Sequence, residues 1–207
     1  MAPWILEKGN ILDLICSHYG LSDEFKDVYA NRYATPISFI DEIISKKSDG
    51  LDDEFFVSHL AMNELFSAIR DELRSIILFN NGIPISRWRD ARLDPDIPEK
   101  CASAIYTKIL ETFDPLFGDG ALYLIKEGAT DDAENYWSIY SSMLFLIKEV
   151  KTQDTMLLTT AILYEADYFV TRDERLIKAA KNRLLEQYNI QLIKPESALV
   201  LLKKQTR

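Results

Sequence analysis

The sequence predicts a three-layer α/β/α protein, in which a mainly parallel central sheet of about five strands lies between helices. The first indication is that short apolar segments of strand length alternate with segments whose apolar residues recur at helical spacing. Such alternation is typical of parallel sheets with helices on both faces. The second is composition, since 47% of the 207 residues are apolar, which is enough for a buried core.

The predicted strands are short and bounded by polar or turn-forming residues. The clearest runs from Asp167 to Thr171, because aromatic and β-branched residues follow one another there. Residues 3–6 (Pro-Trp-Ile-Leu) are predicted to be a buried strand at the start of the chain. The complete set of predicted strands is 3–6, 54–58, 121–125, 167–171 and 190–193.

Helices are predicted for most of the intervening chain, where apolar residues recur every three to four positions. Gly20 and Pro36 mark a helix stop and a helix start. The predicted helices are 10–16, 22–33, 36–47, 60–78, a segment ending near 113, 131–149, 153–165, 173–187 and 195–203. No linker interrupts the chain, so we expect one domain over 1–207, with 79–118 as a helical and loop elaboration.

The chain is acidic, with 33 Asp and Glu against 24 Lys and Arg and a formal net charge of −9. A protein that simply wraps nucleic acid usually has the opposite sign. The total alone leaves two explanations open. One is an ordinary acidic surface, and the other is a cluster of carboxylates whose charge is partly cancelled by bound metal ions.

Three further features concern the compartment. Cys16 and Cys101 form no CxxC pair and predict two buried thiols in a reducing environment, with a single disulfide as the alternative. No apolar run approaches the ~18 residues of a membrane helix. The N-terminus lacks the basic start and long apolar stretch of a secretory signal. We therefore expect a cytoplasmic protein without a membrane partner.

Four acids lie just after predicted strands or at a helix start. Glu7 follows the strand 3–6, Glu64 lies one turn into the helix after the second strand, and Asp173 follows the strand 167–171. Asp154 opens its helix within Thr-Gln-Asp-Thr. Ligands bind beyond the carboxyl ends of parallel strands, so we expect these carboxylates at one sheet edge. The competing explanation is that aspartates favour helix starts because they cap them.

The order of these acids resembles the PIN-domain family. Over 149–178, Asp154 opens a helix with small residues, and a strand then ends in Val-Thr171-Arg-Asp173. Over 55–70, Phe-Val-Ser-His-Leu-Ala-Met-Asn-Glu64 joins a strand to a helix that carries an acid. The first of these segments is similar to the C-terminal half of a PIN domain, and the second to its strand-then-helix segment.

The first acidic position departs from the family's pattern. PIN domains usually begin with a strand followed by Asp-x-Asn or Asp-x-Ser, whereas here Glu7-Lys-Gly-Asn10 follows the predicted strand. Glu7 is the natural substitute, and Asp13 is a fallback one turn into the next helix. Glutamate is one methylene longer than aspartate, which shifts the carboxylate by more than ~1 Å in a site that tolerates such shifts poorly.

The resemblance implies a metal-dependent ribonuclease that hydrolyses RNA phosphodiester bonds with Mg²⁺ or Mn²⁺. It makes Asp154 and Asp173 metal ligands. Glu64 would be a third metal ligand or would position a water, and Glu7 would be a further catalytic acid. Carboxylate oxygens are the ligands that these hard cations prefer. The alternative is a degenerate PIN-like scaffold that serves as a binding or assembly module without nuclease activity. The substituted first acid and the negative charge favour that alternative.

Contacts to RNA are predicted for Thr171, Arg172 and the loop arginines Arg87, Arg89 and Arg92, since arginine pairs with phosphate. The alternative for Thr171 is a β-branched residue that simply ends a strand. The alternative for the arginines is a solvated surface with local ion pairs. Besides RNA, the expected partners are a second copy of the chain and a protein such as an antitoxin or a processing complex. The apolar helix predicted over 36–47 is either a dimer face or part of the core.

Overall fold

The computed structural model describes residues 1–20, 23–87, 97, 99–118, 120–127 and 133–204. Contacts within the chain define two compact units. Unit 1 comprises Met1–Asp52 and Asn63–Ala121, and unit 2 comprises Asp53–Met62 and Leu122–Arg207. The expected single domain over 1–207, with its elaboration over 79–118, stays a prediction.

Unit 1 consists of helices and helical turns in its described part. They are α1 (Ala2–Lys8), α2 (Ile11–Tyr19), α3 (Asp23–Arg32), α4 (Ala34–Ser48), α5 (His59–Asn80), whose first turn belongs to unit 2, a 3₁₀ turn (Ile85–Arg87), α6 (Glu99–Glu111) and a π-helical turn (Asp114–Gly118). Pro3 lies in the first turn of α1. Backbone N–H groups have no acceptor inside the helix at this position, so proline costs no hydrogen bond there. Helix α2 ends at Gly20, whose φ of 69° is the left-handed conformation that glycine adopts without strain.

The core of unit 1 is formed by apolar stripes of these helices. Helix α1 packs against α2 and α4, and α2 packs against α6. Ile5 and Leu6 of α1 are completely buried. Ile37, Ile40 and Ile43 of α4 are also buried, at the three-residue spacing of a core-facing helix stripe. These side chains belong to the core, while the homodimer stays a prediction.

Unit 2 contains the strands. Its described elements are β1 (Phe56–Ser58), β2 (Tyr123–Ile125), α7 (Ala133–Leu146), α8 (Thr152–Leu163), β3 (Tyr168–Val170), α9 (Glu174–Tyr188), β4 (Gln191–Ile193) and α10 (Pro195–Lys204). Strands β1 and β2 pair in parallel with Ser58 opposite Ile125. Strands β3 and β4 also pair in parallel, with Val170 opposite Ile193. Helix α9 connects the second pair, so β3, α9 and β4 form a βαβ crossover.

The crossover is held by a buried apolar cluster. Helix α9 contributes Leu176, Ala180 and Leu184 at four-residue spacing, and all three are buried. Met143 of α7 and Leu158 of α8 are completely buried in the same cluster. Burying an aliphatic side chain of this size contributes about 1.5–3 kcal/mol, so the cluster places the starts of α8 and α9 on a rigid base.

The predicted three-layer α/β/α fold with a central sheet of about five strands is wrong. Helices dominate the described chain, and its four strands have three residues each and form two separate two-stranded sheets. The physical reason is that a sequence pattern predicts strands one at a time. The size of a sheet depends on backbone pairing between distant segments, and such pairing leaves no periodic pattern in the sequence.

The strand predicted over 3–6 is also wrong, because these residues lie in helix α1. Trp4, Ile5 and Leu6 are consecutive and buried, and so short an apolar run has no period that separates a buried strand from a buried helix. Proline is compatible with both, since it is tolerated at the first turn of a helix. Glu7 therefore lies in the last turn of a helix and not at the end of a strand.

Two expectations from composition can be compared with the structure. Cys16 and Cys101 are both buried and neither forms a disulfide, which confirms two buried thiols. Among the helices that the structure describes, none combines the length and apolar character that a membrane span requires.

We predict that Gly9→Ala destabilises the fold by about 1–3 kcal/mol, the usual cost of overpacking. Gly9 is buried after α1, and an added Cβ would lie 2.7 Å from the backbone oxygen of Ile5 and 2.8 Å from Cγ2 of Thr112. The control is Gly118→Ala, whose Cβ would come no nearer than 4.0 Å to Asp114 Cβ. Urea unfolding followed by circular dichroism measures both. Equal midpoints for the two variants would contradict the predicted crowding.

Candidate acidic site

Asp173 is positioned by the turn between β3 and α9. It is the N-cap of α9, and its Oδ1 accepts hydrogen bonds from the backbone N–H groups of Arg175 at 2.9 Å and Leu176 at 3.0 Å. These two donors have no partner inside the helix, which is why Asp is favoured at this position. The backbone N–H of Asp173 in turn donates to Oγ1 of Thr171 at 3.1 Å. The turn therefore fixes both the backbone and the carboxylate of Asp173.

Asp154 is positioned by the first turn of α8. Its Oδ2 accepts a hydrogen bond from the backbone N–H of Lys151, the N-cap residue, at 3.2 Å. This is the contact by which an acid at the third helical position covers an otherwise unpaired donor. Capping, the competing explanation for both aspartates, is thus observed in the structure. It does not occupy all of their oxygen lone pairs, because a carboxylate accepts about four hydrogen bonds.

Arg175 brings the two aspartates together. Its Nη2 lies 3.4 Å from Oδ2 of Asp154 and 3.4 Å from Oδ2 of Asp173. The two oxygens are therefore separated by no more than twice that distance. The three side chains remain open to solvent, with exposed fractions of 20% for Asp154, 39% for Asp173 and 43% for Arg175. Two carboxylates in unit 2 thus converge on one cationic group that solvent can reach.

The surroundings keep Asp173 ionised. The backbone N–H of Leu176 has the largest effect and lowers the pKa of Asp173 below its ordinary value of 3.8. Burial is the second-largest effect and raises the pKa, but the backbone N–H and the positive charge of Arg175 act in the same direction as Leu176, so that the net pKa is lowered. Asp173 is therefore a carboxylate, and hence a competent metal ligand, throughout the neutral range.

The donor set of this pair fits Mg²⁺ or Mn²⁺. These ions prefer oxygen ligands, and Mg²⁺ is commonly held by one or two carboxylates while it keeps several waters. The guanidinium of Arg175 shows that the two oxygens already attract a cation. In the described part of the chain, no three side chains of His, Cys, Asp or Glu are grouped so that they could hold a metal ion.

The other two predicted acids belong to unit 1. Glu7 is in the last turn of α1, where its Oε1 lies 3.7 Å from Nζ of Lys8. The same Lys8 nitrogen lies 3.4 Å from Oδ2 of Asp41. Glu64 is on the exposed surface of α5. The structure thus brings Asp154 and Asp173 together within unit 2, while the assignment of Glu7 and Glu64 stays a prediction.

The predicted RNA-contacting residues have different positions. Thr171 supports Asp173 through its hydroxyl, as described above. Arg172 and Arg87 are exposed on the surface. Arg89 and Arg92 lie outside the described residues. The structure therefore identifies a positioning contact for Thr171, and the RNA contacts of the arginines stay predictions.

Arg175 was not predicted as a site residue. The sequence signal that could have indicated it is a basic residue two positions after an N-cap aspartate.

A hydrogen-bonded group at the start of α5 was also not predicted. There the backbone N–H of Leu60 donates to Glu127, and the backbone N–H of Ala61 donates to Oγ of Ser58 at 3.1 Å. His59 Nδ1 lies 3.0 Å from the carbonyl oxygen of Ile125 and therefore carries the proton.

The role of Glu127 follows from these contacts. Burial is the largest single effect and raises the pKa of Glu127, but hydrogen bonds from the Ser58 hydroxyl and the Leu60 N–H, together with smaller effects of its own backbone and of His59, lower the net pKa. Ser58 and Glu127 satisfy donors at the N-terminus of a 22-residue helix, and a carboxylate is stabilised there by the helix dipole. This group is a cap of α5, built where two parallel strands end.

Comparison of the chain with protein-family models, with curated proteins and with solved structures found no match.

We predict that Asp173 stabilises the fold mainly as the N-cap of α9. Asp173→Ala removes the acceptor of two backbone N–H groups and should cost about 1 kcal/mol, whereas Asp173→Asn keeps an acceptor and should cost much less. Thermal unfolding of the two variants measures the difference. Equal destabilisation by both would show that charge, and not capping, holds this turn.

The pH dependence follows from the lowered pKa of Asp173. Its ionised form stabilises the fold above the ordinary value of 3.8, and this contribution is lost as the pH falls through the lower folded pKa. In Arg175→Met we expect the titration midpoint to rise towards 3.8 but to stay below it, because the backbone donors remain. Carbon-13 NMR of the carboxyl group measures the midpoint, with Lys178→Met as a charge-matched control. A wild-type midpoint at or above 3.8 would refute the assignment.

Proposed function

We propose that the chain is a metal-dependent ribonuclease that hydrolyses RNA phosphodiester bonds through an acidic Mg²⁺ or Mn²⁺ site resembling that of PIN domains. The observation that carries the proposal is that Asp154 and Asp173 converge on one cationic group. They are the two acids that the resemblance over 149–178 assigns as ligands. Glu64 and Glu7 enter the proposal as further acids on the sequence resemblance alone.

The residues of unit 2 provide what such a site requires. The backbone donors of α9 keep Asp173 ionised, and the Lys151 N–H holds one oxygen of Asp154. Both carboxylates lie at helix starts that pack on a buried cluster, so little ordering is needed when a cation binds. When bound, Mg²⁺ or Mn²⁺ lowers the pKa of a coordinated water and stabilises negative charge on a phosphate.

RNA is proposed as the substrate because a hard cation at a carboxylate pair is suited to phosphate chemistry. Arg172 is exposed next to Asp173, where a phosphate held near the carboxylates would meet a positive charge. We also propose a second copy of the chain and a protein partner as binding partners, and these two proposals rest on the sequence alone.

A second candidate function is a binding or assembly module without nuclease activity. The observation that favours it is that Arg175 already neutralises part of the charge on both aspartates. Lys8 does the same for Glu7 in unit 1. The two candidates differ in one measurable property, which is whether the chain binds a divalent cation at the Asp154–Asp173 pair.

We predict that the full chain cleaves single-stranded RNA when Mn²⁺ is present and that Asp154→Asn lowers the rate by at least roughly 100-fold, since disturbing a metal shell even indirectly has effects of that order. The control is Glu186→Gln, which removes one exposed carboxylate charge from α9 outside the acidic pair. It should cleave like wild type. The measurement is the single-turnover cleavage rate of a labelled RNA.

Two outcomes would contradict this proposal. Equal cleavage by wild type and Asp154→Asn would place the activity in a contaminant or in a different site. Cleavage by neither, together with no Mn²⁺ binding in titration calorimetry, would favour the binding module.

A further inference from the structure

We infer that Arg175 is a built-in competitor of the divalent cation, so that the Asp154–Asp173 pair alternates between a guanidinium-bound state and a metal-bound state. The inference rests on the proposed function, because it concerns the regulation of the same site. It starts from the position of Arg175 Nη2, which lies 3.4 Å from Oδ2 of each aspartate.

The two cations cannot occupy this place together. A Mg²⁺ or Mn²⁺ ion lies about 2.0–2.2 Å from a carboxylate oxygen that binds it, so an ion on either Oδ2 comes within a few ångströms of the guanidinium. A divalent cation and an arginine at that separation repel each other, and arginine cannot lose its proton to relieve the repulsion. Binding of a metal ion by these two Oδ2 atoms therefore requires the Arg175 side chain to move away from at least one aspartate.

The guanidinium is held weakly enough to be displaced. Its distances to the two oxygens are longer than those of a well-formed charged hydrogen bond. The Arg175 side chain is 43% exposed, so it can move towards solvent. Ion pairs this exposed contribute little to stability, so the competition should change the metal affinity several-fold and not by orders of magnitude.

The backbone of Arg175 has a separate role that the side chain does not share. Its N–H donates to Oδ1 of Asp173 and belongs to the helix cap. Replacing the side chain by methionine removes the guanidinium and keeps this donor and the helix-forming preference. Arg175→Met is therefore a clean removal of the competitor, and Arg175→Gln is a second neutral variant if the first proves poorly folded.

The test is Mn²⁺ binding to the full chain by titration calorimetry, with Mn²⁺ alone and no RNA. We expect Arg175→Met to bind Mn²⁺ roughly three- to fivefold more tightly than wild type, the range that exposed ion pairs allow. The matched control is Lys178→Met, which removes the same charge from the exposed surface of α9 and should change the affinity by less than about twofold in 0.15 M salt. The double variant Asp154→Asn, Arg175→Met should lose the gain.

Each outcome has a separate meaning. Binding by wild type with equal or weaker binding by Arg175→Met overturns the competition and leaves the metal site standing. A gain of the same size in Lys178→Met, or a gain that survives Asp154→Asn, also overturns it, because the effect is then not exerted at this pair. Binding by none of the chains overturns the proposed function itself. Binding by Arg175→Met alone supports the competition in its strongest form.

Discussion

The β3–α9–β4 crossover positions the residues of the candidate acidic site. Two strands of three residues pair in parallel, and the helix between them buries Leu176, Ala180 and Leu184 in the core of unit 2. The chain must therefore turn within Thr171–Asp173, and the first N–H groups of α9 need an acceptor there. Asp173 supplies that acceptor, so the requirement that ends a strand and begins a helix also places a carboxylate at the strand's carboxyl end.

The same local chemistry lets both aspartates cap a helix and still face a cation. Asp173 uses Oδ1 for the backbone of α9 and directs Oδ2 to Arg175, while Asp154 directs its Oδ2 to both Lys151 and Arg175. The caps fix the carboxylates before any cation arrives, which lowers the ordering cost of binding. Arg175 acts in the opposite direction, because it neutralises the pair that the caps hold in place. The balance between these effects decides whether the pair is a metal site or a structural ion pair.

The sequence predicts those features of the fold and the site that local chemistry determines. The run Tyr-Phe-Val-Thr171 and the following Asp173 predicted a strand and a helix start, and β3 and α9 confirm both. Trp4-Ile-Leu was predicted as a strand and is helical, because three apolar residues have no period and Pro3 is tolerated in either structure. The five-stranded sheet was wrong because strand pairing is a tertiary property. The contact of Arg175 with two aspartates 21 and 2 residues away was missed for the same reason.

Joint binding of a divalent cation by Asp154 and Asp173 can be observed in a crystal of the full chain soaked in Mn²⁺ and measured near the manganese absorption edge. We expect an anomalous peak within about 2.0–2.3 Å of an oxygen of each aspartate, with the Arg175 guanidinium withdrawn from the pair. Absence of a peak there, with Arg175 still bound to both carboxylates at saturating Mn²⁺, would show that the pair is a structural ion pair and not a metal site.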